Sequence, residues 1–185
     1  MRRRSLVLVG AVLVIAGGAS VAFAAVSSGP TGPCLNPLAT RILNRTRSMA
    51  PTIVSGDLVV ATGVQPGTPF RRGEVVLFTA PGAGVGDAPF IKRVIGLPGE
   101  TITLASGRVV ISGAPLDEPY LAPGTVTEPP PDRTEWVVAS DELFVLGDSR
   151  AASADSRVFG AIPTASVSGH AIAICSPDSR RTALP

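Results

Sequence analysis

The chain has 185 residues, 45% of them apolar, with 20 glycines and 18 prolines. That is the length of one domain with a small insert, and the composition excludes a disordered polar chain. The formal charge is +2, but Arg2, Arg3 and Arg4 supply three of the 16 basic residues, so the rest is nearly neutral and a nucleic-acid-binding surface is excluded.

From Ser5 to Thr40 no side chain is charged, and Leu6 to Val26 is almost entirely apolar. As a helix this stretch would rise roughly 31 Å, against about 30 Å for a bilayer's hydrocarbon core. Residues 1–5 are therefore expected to be a cytoplasmic N-terminus and residues 6–26 a single-pass transmembrane anchor. The arginine cluster before it, with no charge after it until Arg41, holds the N-terminus in the cytoplasm and sends the body across. Ala22-Phe23-Ala24 has the small-x-small form of a cleavage site, so a processed leader competes with a retained anchor; both readings put the body outside the cytoplasm. Residues 27–40, broken by Gly and Pro, read as a connector, and residues 41–185 as an extracytoplasmic domain.

Cys34 and Cys175 lie near opposite ends of the exported part. In an oxidising compartment a bridge between them would tie the chain ends together; two buried thiols acting as small apolar groups is the other reading.

The body is a series of short runs rich in β-branched residues: Leu58 to Ala61, Val75 to Phe78, Phe90 to Ile95, Arg108 to Ile111, Trp136 to Val138, Leu143 to Leu146 and His170 to Cys175. These have strand lengths and turn-forming neighbours, and no window holds a long 3.6-residue apolar period. The expected fold class is all-β, an antiparallel domain with a small β insert at about 101–134 that the stiff stretch Pro123 to Pro131 helps to bound. Phe70, Phe78 and Trp136 are assigned to core packing, with a lipid-dipping surface as the alternative.

Machinery for chemistry is scarce. His170 is the sole histidine and reads as a strand-edge residue without an acidic partner nearby in sequence. Asp57, Asp117 and Glu118 fit no metal-ligand spacing, so neither a metal nor an organic cofactor is expected. Fifteen of the 16 basic residues are arginine, and the exception is Lys92. In extended Phe90-Ile91-Lys92-Arg93-Val94-Ile95 its side chain shares a face with Phe90 and Val94. An amine near 10.4 in water must fall to near neutrality to act as a base, which burial of this kind favours and which arginine does not permit. Ser48, in Ser48-Met49-Ala50-Pro51-Thr52, is a hydroxyl nucleophile for which an unprotonated lysine is one of the few available bases.

Three further segments follow in order: Arg72-Gly73-Glu74-Val75-Val76, then Lys92-Arg93-Val94-Ile95-Gly96-Leu97-Pro98-Gly99-Glu100, then Gly147-Asp148-Ser149-Arg150 running into Ser153-Ala154-Asp155-Ser156-Arg157 and Gly160. With the Ser48 segment, this set resembles the bacterial type I signal peptidases, membrane-anchored Ser-Lys peptidases of family S26, over residues 1 to about 175. The resemblance implies Ser48 as nucleophile and Lys92 as general base. It implies Ser153 as the serine that hydrogen-bonds the amine, and Thr46 as the hydroxyl that joins the Ser48 N–H in an oxyanion hole. Arg93, Asp148, Asp155 and Arg157 fall at positions that brace the site. It also implies cleavage of preprotein signal peptides after Ala-x-Ala sites at the bilayer surface, by a monomer with neither metal nor cofactor. Thr46 stands where a serine is usual, Arg47 where a small or polar residue is common, and Ser149 where many members carry Asn. A Ser-Lys peptidase with another substrate, or a non-catalytic sheet that binds extended peptides, are the competing readings.

Overall fold

A computed structural model describes Cys34 and residues 39–65, 67–79, 89–176 and 181–184. The expected anchor at 6–26, the Ala22-Phe23-Ala24 site and nearly all of the connector lie outside the described residues, among which no helix is long and apolar enough to cross a membrane.

The architecture is all-β and antiparallel. In chain order the strands are β1 (Thr40–Leu43), β2 (Leu58–Gly63), β3 (Val75–Phe78), β4 (Phe90–Gly96), β5 (Thr101–Ala105), β6 (Arg108–Ile111), β7 (Ala114–Pro115), β8 (Glu135–Val137), β9 (Glu142–Leu146), β10 (Ile162–Pro163), β11 (Val167–Cys175) and β12 (Arg181–Ala183). One four-residue helix, α1 (Ser156–Phe159), precedes β10. The larger sheet runs β1-β2-β11-β3-β4-β9-β10, with β12 paired to β11, and the smaller runs β7-β6-β5-β8.

Alternation explains why the central strands read as unbroken apolar runs. On β3, Val75 and Leu77 enter one cluster with Met49, Ile53, Val59 and Ile91. Val76 and Phe78 enter another on the opposite face with Val94, Val145 and Ile162. A sheet covered on both faces needs apolar residues at every position. The two sheets meet over a third cluster, where Ile95, Phe144 and Leu146 of the larger pack on Ile102, Leu104, Val109 and Trp136 of the smaller. Trp136 and Phe78 are thus core residues, and Phe70 is half-buried with its ring stacked on His170.

Several elements go beyond the sequence reading. β1 is short and carries Arg41, with Arg45 and Arg47 just after it. β11 begins at Val167, three residues before the apolar run, because Ser168 and Gly169 carry little hydrophobic signal. A Cβ on Gly169 would sit 3.0 Å from the Thr62 carbonyl oxygen, so strand pairing selects a residue that propensity counts against. Cys34 and Cys175 form a disulfide across 141 residues of chain, with Cα atoms 6.1 Å apart.

Gly96, at the end of β4, is fixed by sheet-on-sheet contact. A Cβ there would lie 2.7 Å from Ile102 Cδ1 and 2.9 Å from Phe144 Cβ. Gly96→Ala is expected to cost about 1–3 kcal/mol through overpacking, read as a lower denaturant midpoint at unchanged slope. A midpoint equal to that of the parent would show that the two sheets are not in close contact here.

Candidate active site

Lys92 sits on β4, the strand between β3 and β9, in register with Val76. It is only 3% exposed. Its Nζ lies 5.5 Å from the centre of the Phe90 ring, 3.0 Å from the Ile91 carbonyl oxygen and 2.9 Å from Ser48 Oγ. Ser48 is 44 residues earlier in the chain, in the turn between β1 and β2. That turn is pinned from two sides. Met49 and Ile53 are driven into the core, and the Ser149 N–H donates to the Ser48 carbonyl at 3.0 Å. Burial of the one apolar pair fixes the turn, and the turn presents the hydroxyl to the amine.

The amine's pKa falls from 10.5 to about 8, chiefly because burial strips water from the ammonium; Asp155 and Asp148 act in the opposite direction. Each of those carboxylates has an arginine of its own. Asp148 accepts from Arg93 Nε at 2.9 Å and Nη2 at 2.7 Å, and from the Thr52 hydroxyl at 2.5 Å. Asp155 accepts from Arg157 Nε and Nη2, both at 2.9 Å, and from the Gly147 N–H at 3.0 Å. The four positions expected to brace the site are therefore two buried ion pairs flanking the lysine.

A layer not anticipated from the sequence lies behind these pairs. The Tyr120 ring covers the Arg93 guanidinium at 4.0 Å, and its hydroxyl donates to Glu118 at 2.7 Å. Glu118 in turn accepts from Arg150 Nη2 at 2.5 Å, while Arg150 Nε donates to the Gly147 carbonyl at 3.0 Å. Burial beside the Glu118 carboxylate pushes the Tyr120 phenol well above its ordinary value, so it stays a neutral donor. These contacts run from the loop before β8 to the turn after β9. Nothing short-range in the sequence links Tyr120 to Arg93, so tertiary packing alone reveals them.

Two expectations change in detail. Ser153 Oγ is buried but bonds to nothing among the described residues; the expected bond to Lys92 is not made, and the amine uses Ser48 and the Ile91 carbonyl instead. Ser153 nonetheless belongs to the site, since a Cβ on Gly147 would meet Ser153 Oγ at 2.2 Å and the Ser48 carbonyl oxygen at 2.4 Å. Gly147 is glycine because Ser48 and Ser153 close over it. The Thr46 hydroxyl stands 3.3 Å from Ser48 Oγ but donates to Asn44 Oδ1 at 2.9 Å. The Ser48 N–H donates to no acceptor among the described residues.

His170 lies across β3 from Lys92, since both register with Val76, roughly two strand spacings or 9.5 Å away. Its Nδ1 is 3.4 Å from Glu74, an acidic partner distant in sequence. A cleft of about 410 Å³ opens onto Ser48 and Lys92, with Ile42, Phe90, Ala152 and Ala154 in its wall.

Because Lys92 is the chain's sole lysine, ¹⁵Nζ-lysine labelling yields one signal. That signal should titrate near 8 in the parent protein. Asp155→Asn removes a charge that favours the ammonium, so the midpoint should drop; Arg157→Gln leaves Asp155 uncompensated, so it should rise. Shifts of opposite sign to these would remove Asp155 from the electrostatics of the amine.

Residues 33–176 match the family described as signal peptidase, peptidase S26. Signal peptidase I of Leptolyngbya laminosa is 37% identical over 142 residues, covering 72% of this chain and 66% of that protein. A probable signal peptidase I-1 of Synechocystis sp. is 38% identical over 141 residues, covering 72% and 69%. The aligned part of the chain thus spans about two thirds of the length of these relatives. A crystal structure of a signal peptidase I from Enterococcus faecalis is 32% identical, covers 55% of this chain and 96% of its own, and superposes with a TM-score of 0.45. With the family match extending over most of its length, the chain belongs to the signal peptidase family, peptidase S26.

Proposed function

We propose that this chain is a membrane-anchored serine endopeptidase that removes N-terminal signal peptides from exported preproteins after Ala-x-Ala sites, with Ser48 as nucleophile and Lys92 as general base. The observation that carries the reading is the 2.9 Å approach of a buried amine to a serine hydroxyl at a site where the histidine is elsewhere.

The chemistry follows from proton positions. Neutral Lys92 keeps an N–H on the Ile91 carbonyl and turns its lone pair to Ser48. As Ser48 Oγ attacks the scissile carbonyl, its proton passes to Nζ, and the resulting ammonium protonates the leaving amine. The acyl group left on Oγ is then attacked by water, whose proton the same amine accepts and passes to Ser48 Oγ as the acyl–Oγ bond breaks, releasing the acid and restoring the hydroxyl. The unengaged Ser48 N–H and the Thr46 hydroxyl are the donors for the oxyanion.

Strand pairing supports an extended substrate. β9 pairs with β4 only from Arg93 onward, and the chain then turns away at Gly147. Among the described residues the edge of Phe90 to Lys92 on that side is unpaired, which suits an added peptide strand whose alternate side chains face the cleft. For the anchor at 6–26 and a catalytic domain outside the cytoplasm, the support is the apolar length and the Arg2-Arg3-Arg4 asymmetry.

Incubation with an Ala-x-Ala peptide and mass spectrometry of the products tests the proposal. Parent protein should cut after the second alanine, while Ser48→Ala and Lys92→Arg should each lose at least about 10³-fold, as loss of either half of a nucleophile–base pair does. Lys92→Arg at near-parental rate would overturn the assignment, and intact peptide with the parent protein would favour a binding module. Since the neutral amine is the active form, kcat/KM should climb with pH up to about 8 and then level off. A pH-independent rate between 6 and 9 would remove Lys92 as the base.

A further inference from the structure

We propose that Asn44 is the positioning residue for the oxyanion donor: its side-chain carbonyl holds the Thr46 hydroxyl proton in the resting enzyme and yields it to the oxyanion as that charge forms. The inference rests on the Ser48–Lys92 reading above and adds to it a residue that neither the sequence nor the family match singled out.

Asn44 directly follows β1 and is 5% exposed. Its backbone is bonded on both sides, the N–H to the Asp57 carbonyl and the C=O to the Gly56 N–H, each at 2.8 Å. Its side chain is also fully used. Nδ2 donates to the Thr46 carbonyl at 3.1 Å and the Val54 carbonyl at 2.9 Å. Oδ1 accepts from the Thr46 N–H at 3.1 Å and from Thr46 Oγ1 at 2.9 Å.

This pattern fixes the direction of the amide. Turning it over would set Oδ1 against two carbonyl oxygens and the NH2 group against the Thr46 N–H, losing three bonds. The Thr46 hydroxyl is then the donor to Asn44. With its single proton so engaged, Thr46 Oγ1 presents only lone pairs to Ser48 Oγ, 3.3 Å away. It is not yet an oxyanion donor.

Two features make release of that proton inexpensive. The Thr46 N–H stays on Oδ1 when the hydroxyl turns, so the buried Asn44 carbonyl keeps a partner and avoids the penalty of an orphaned acceptor. The move also needs only rotation of the O–H, because Asn44 grips the Thr46 backbone at both its N–H and its C=O. A developing negative charge is a stronger acceptor than a neutral amide oxygen, so the exchange is driven only once the tetrahedral species begins to form. Stabilisation that is absent in the ground state lowers the barrier without tightening substrate binding.

The test is a double-mutant cycle on cleavage of the Ala-x-Ala peptide. Asn44→Asp, close in shape, supplies a charged acceptor that retains the Thr46 proton, at the loss of the Nδ2 bonds to the Thr46 and Val54 carbonyls, which a parallel stability measurement reads separately, and Asn44→Leu removes the acceptor. Each should lower kcat by about 10- to 100-fold with KM within about twofold, a fraction of the 10²- to 10³-fold span known for an oxyanion donor. In a Thr46→Val background the same two changes should cost less than about threefold, whereas in Thr46→Ser, which keeps a hydroxyl, the full loss should persist. Asn44→Asp decides the matter if Asn44→Leu does not fold. Losses that multiply unchanged in Thr46→Val would make Asn44 a scaffold residue and overturn the proposal. That outcome differs from failure of the functional reading, in which the parent protein itself leaves the peptide intact or Ser48→Ala remains active.

Discussion

A lysine can serve as a base near neutrality only where water cannot reach its ammonium, and the architecture around Lys92 is organised to meet that condition without making the amine hostile to its own protonated state. Burial beneath Phe90 and between β3 and β9 lowers the pKa to about 8. Complete isolation would overshoot, since in the proposed mechanism the amine has to hold a proton long enough to hand it to the leaving group. Asp155 and Asp148 provide the counterweight, and Arg157 and Arg93 limit how strongly each carboxylate acts.

Buried ion pairs are poor sources of stability, because desolvating both charges costs about as much as their attraction returns. Here their value is positional. The Asp148–Arg93 pair holds Thr52 to the neighbourhood of Gly73 through bonds from both partners. The Asp155–Arg157 pair holds Gly147 and the Arg150 carbonyl. Those are the turns that bear Ser48 on one side and Ser153 on the other. Glu118 and Tyr120 extend the same network toward the smaller sheet, so that sheet supports the site without contributing a reacting atom. On the proposed mechanism the arrangement places rigid groups behind mobile protons: heavy atoms stay fixed while hydrogens move between Ser48, Lys92, Thr46 and Asn44.

Much of this was legible in the amino-acid order. The sole lysine among fifteen arginines, set in an apolar extended run, marks Lys92 as the one side-chain amine that burial can bring toward neutrality. Val75 to Phe78 and Leu143 to Leu146 announced buried strands because both of their faces are covered. Less visible were β1, four residues long and carrying Arg41, and the start of β11, where Gly169 is selected by close approach to the Thr62 carbonyl instead of by burial. Asn44 does not stand out because a single Asn after a short strand is an ordinary turn signal; its side chain makes four bonds, three to Thr46 and one to Val54, and only the fold sets Thr46 beside Ser48. Ser153, expected on the amine, instead closes over Gly147, a contact that no motif encodes.

The amino-acid order carries the chemical inventory: one hydroxyl in a Ser-Met-Ala-Pro turn, a single lysine amine, 16 basic and 14 acidic side chains, and one histidine. It also determined the β character, since alternation and turn residues are local properties. The tertiary structure alone decided which of those groups meet. A hydroxyl and an amine 44 residues apart come within hydrogen-bond reach only because strand register and the packing of Met49 and Ile53 fix both backbones, and register is set by contacts that are distant along the chain. For the same reason the depression of the Lys92 pKa is a property of the fold: desolvation depends on what covers the side chain, and the residues that cover it come from separate strands.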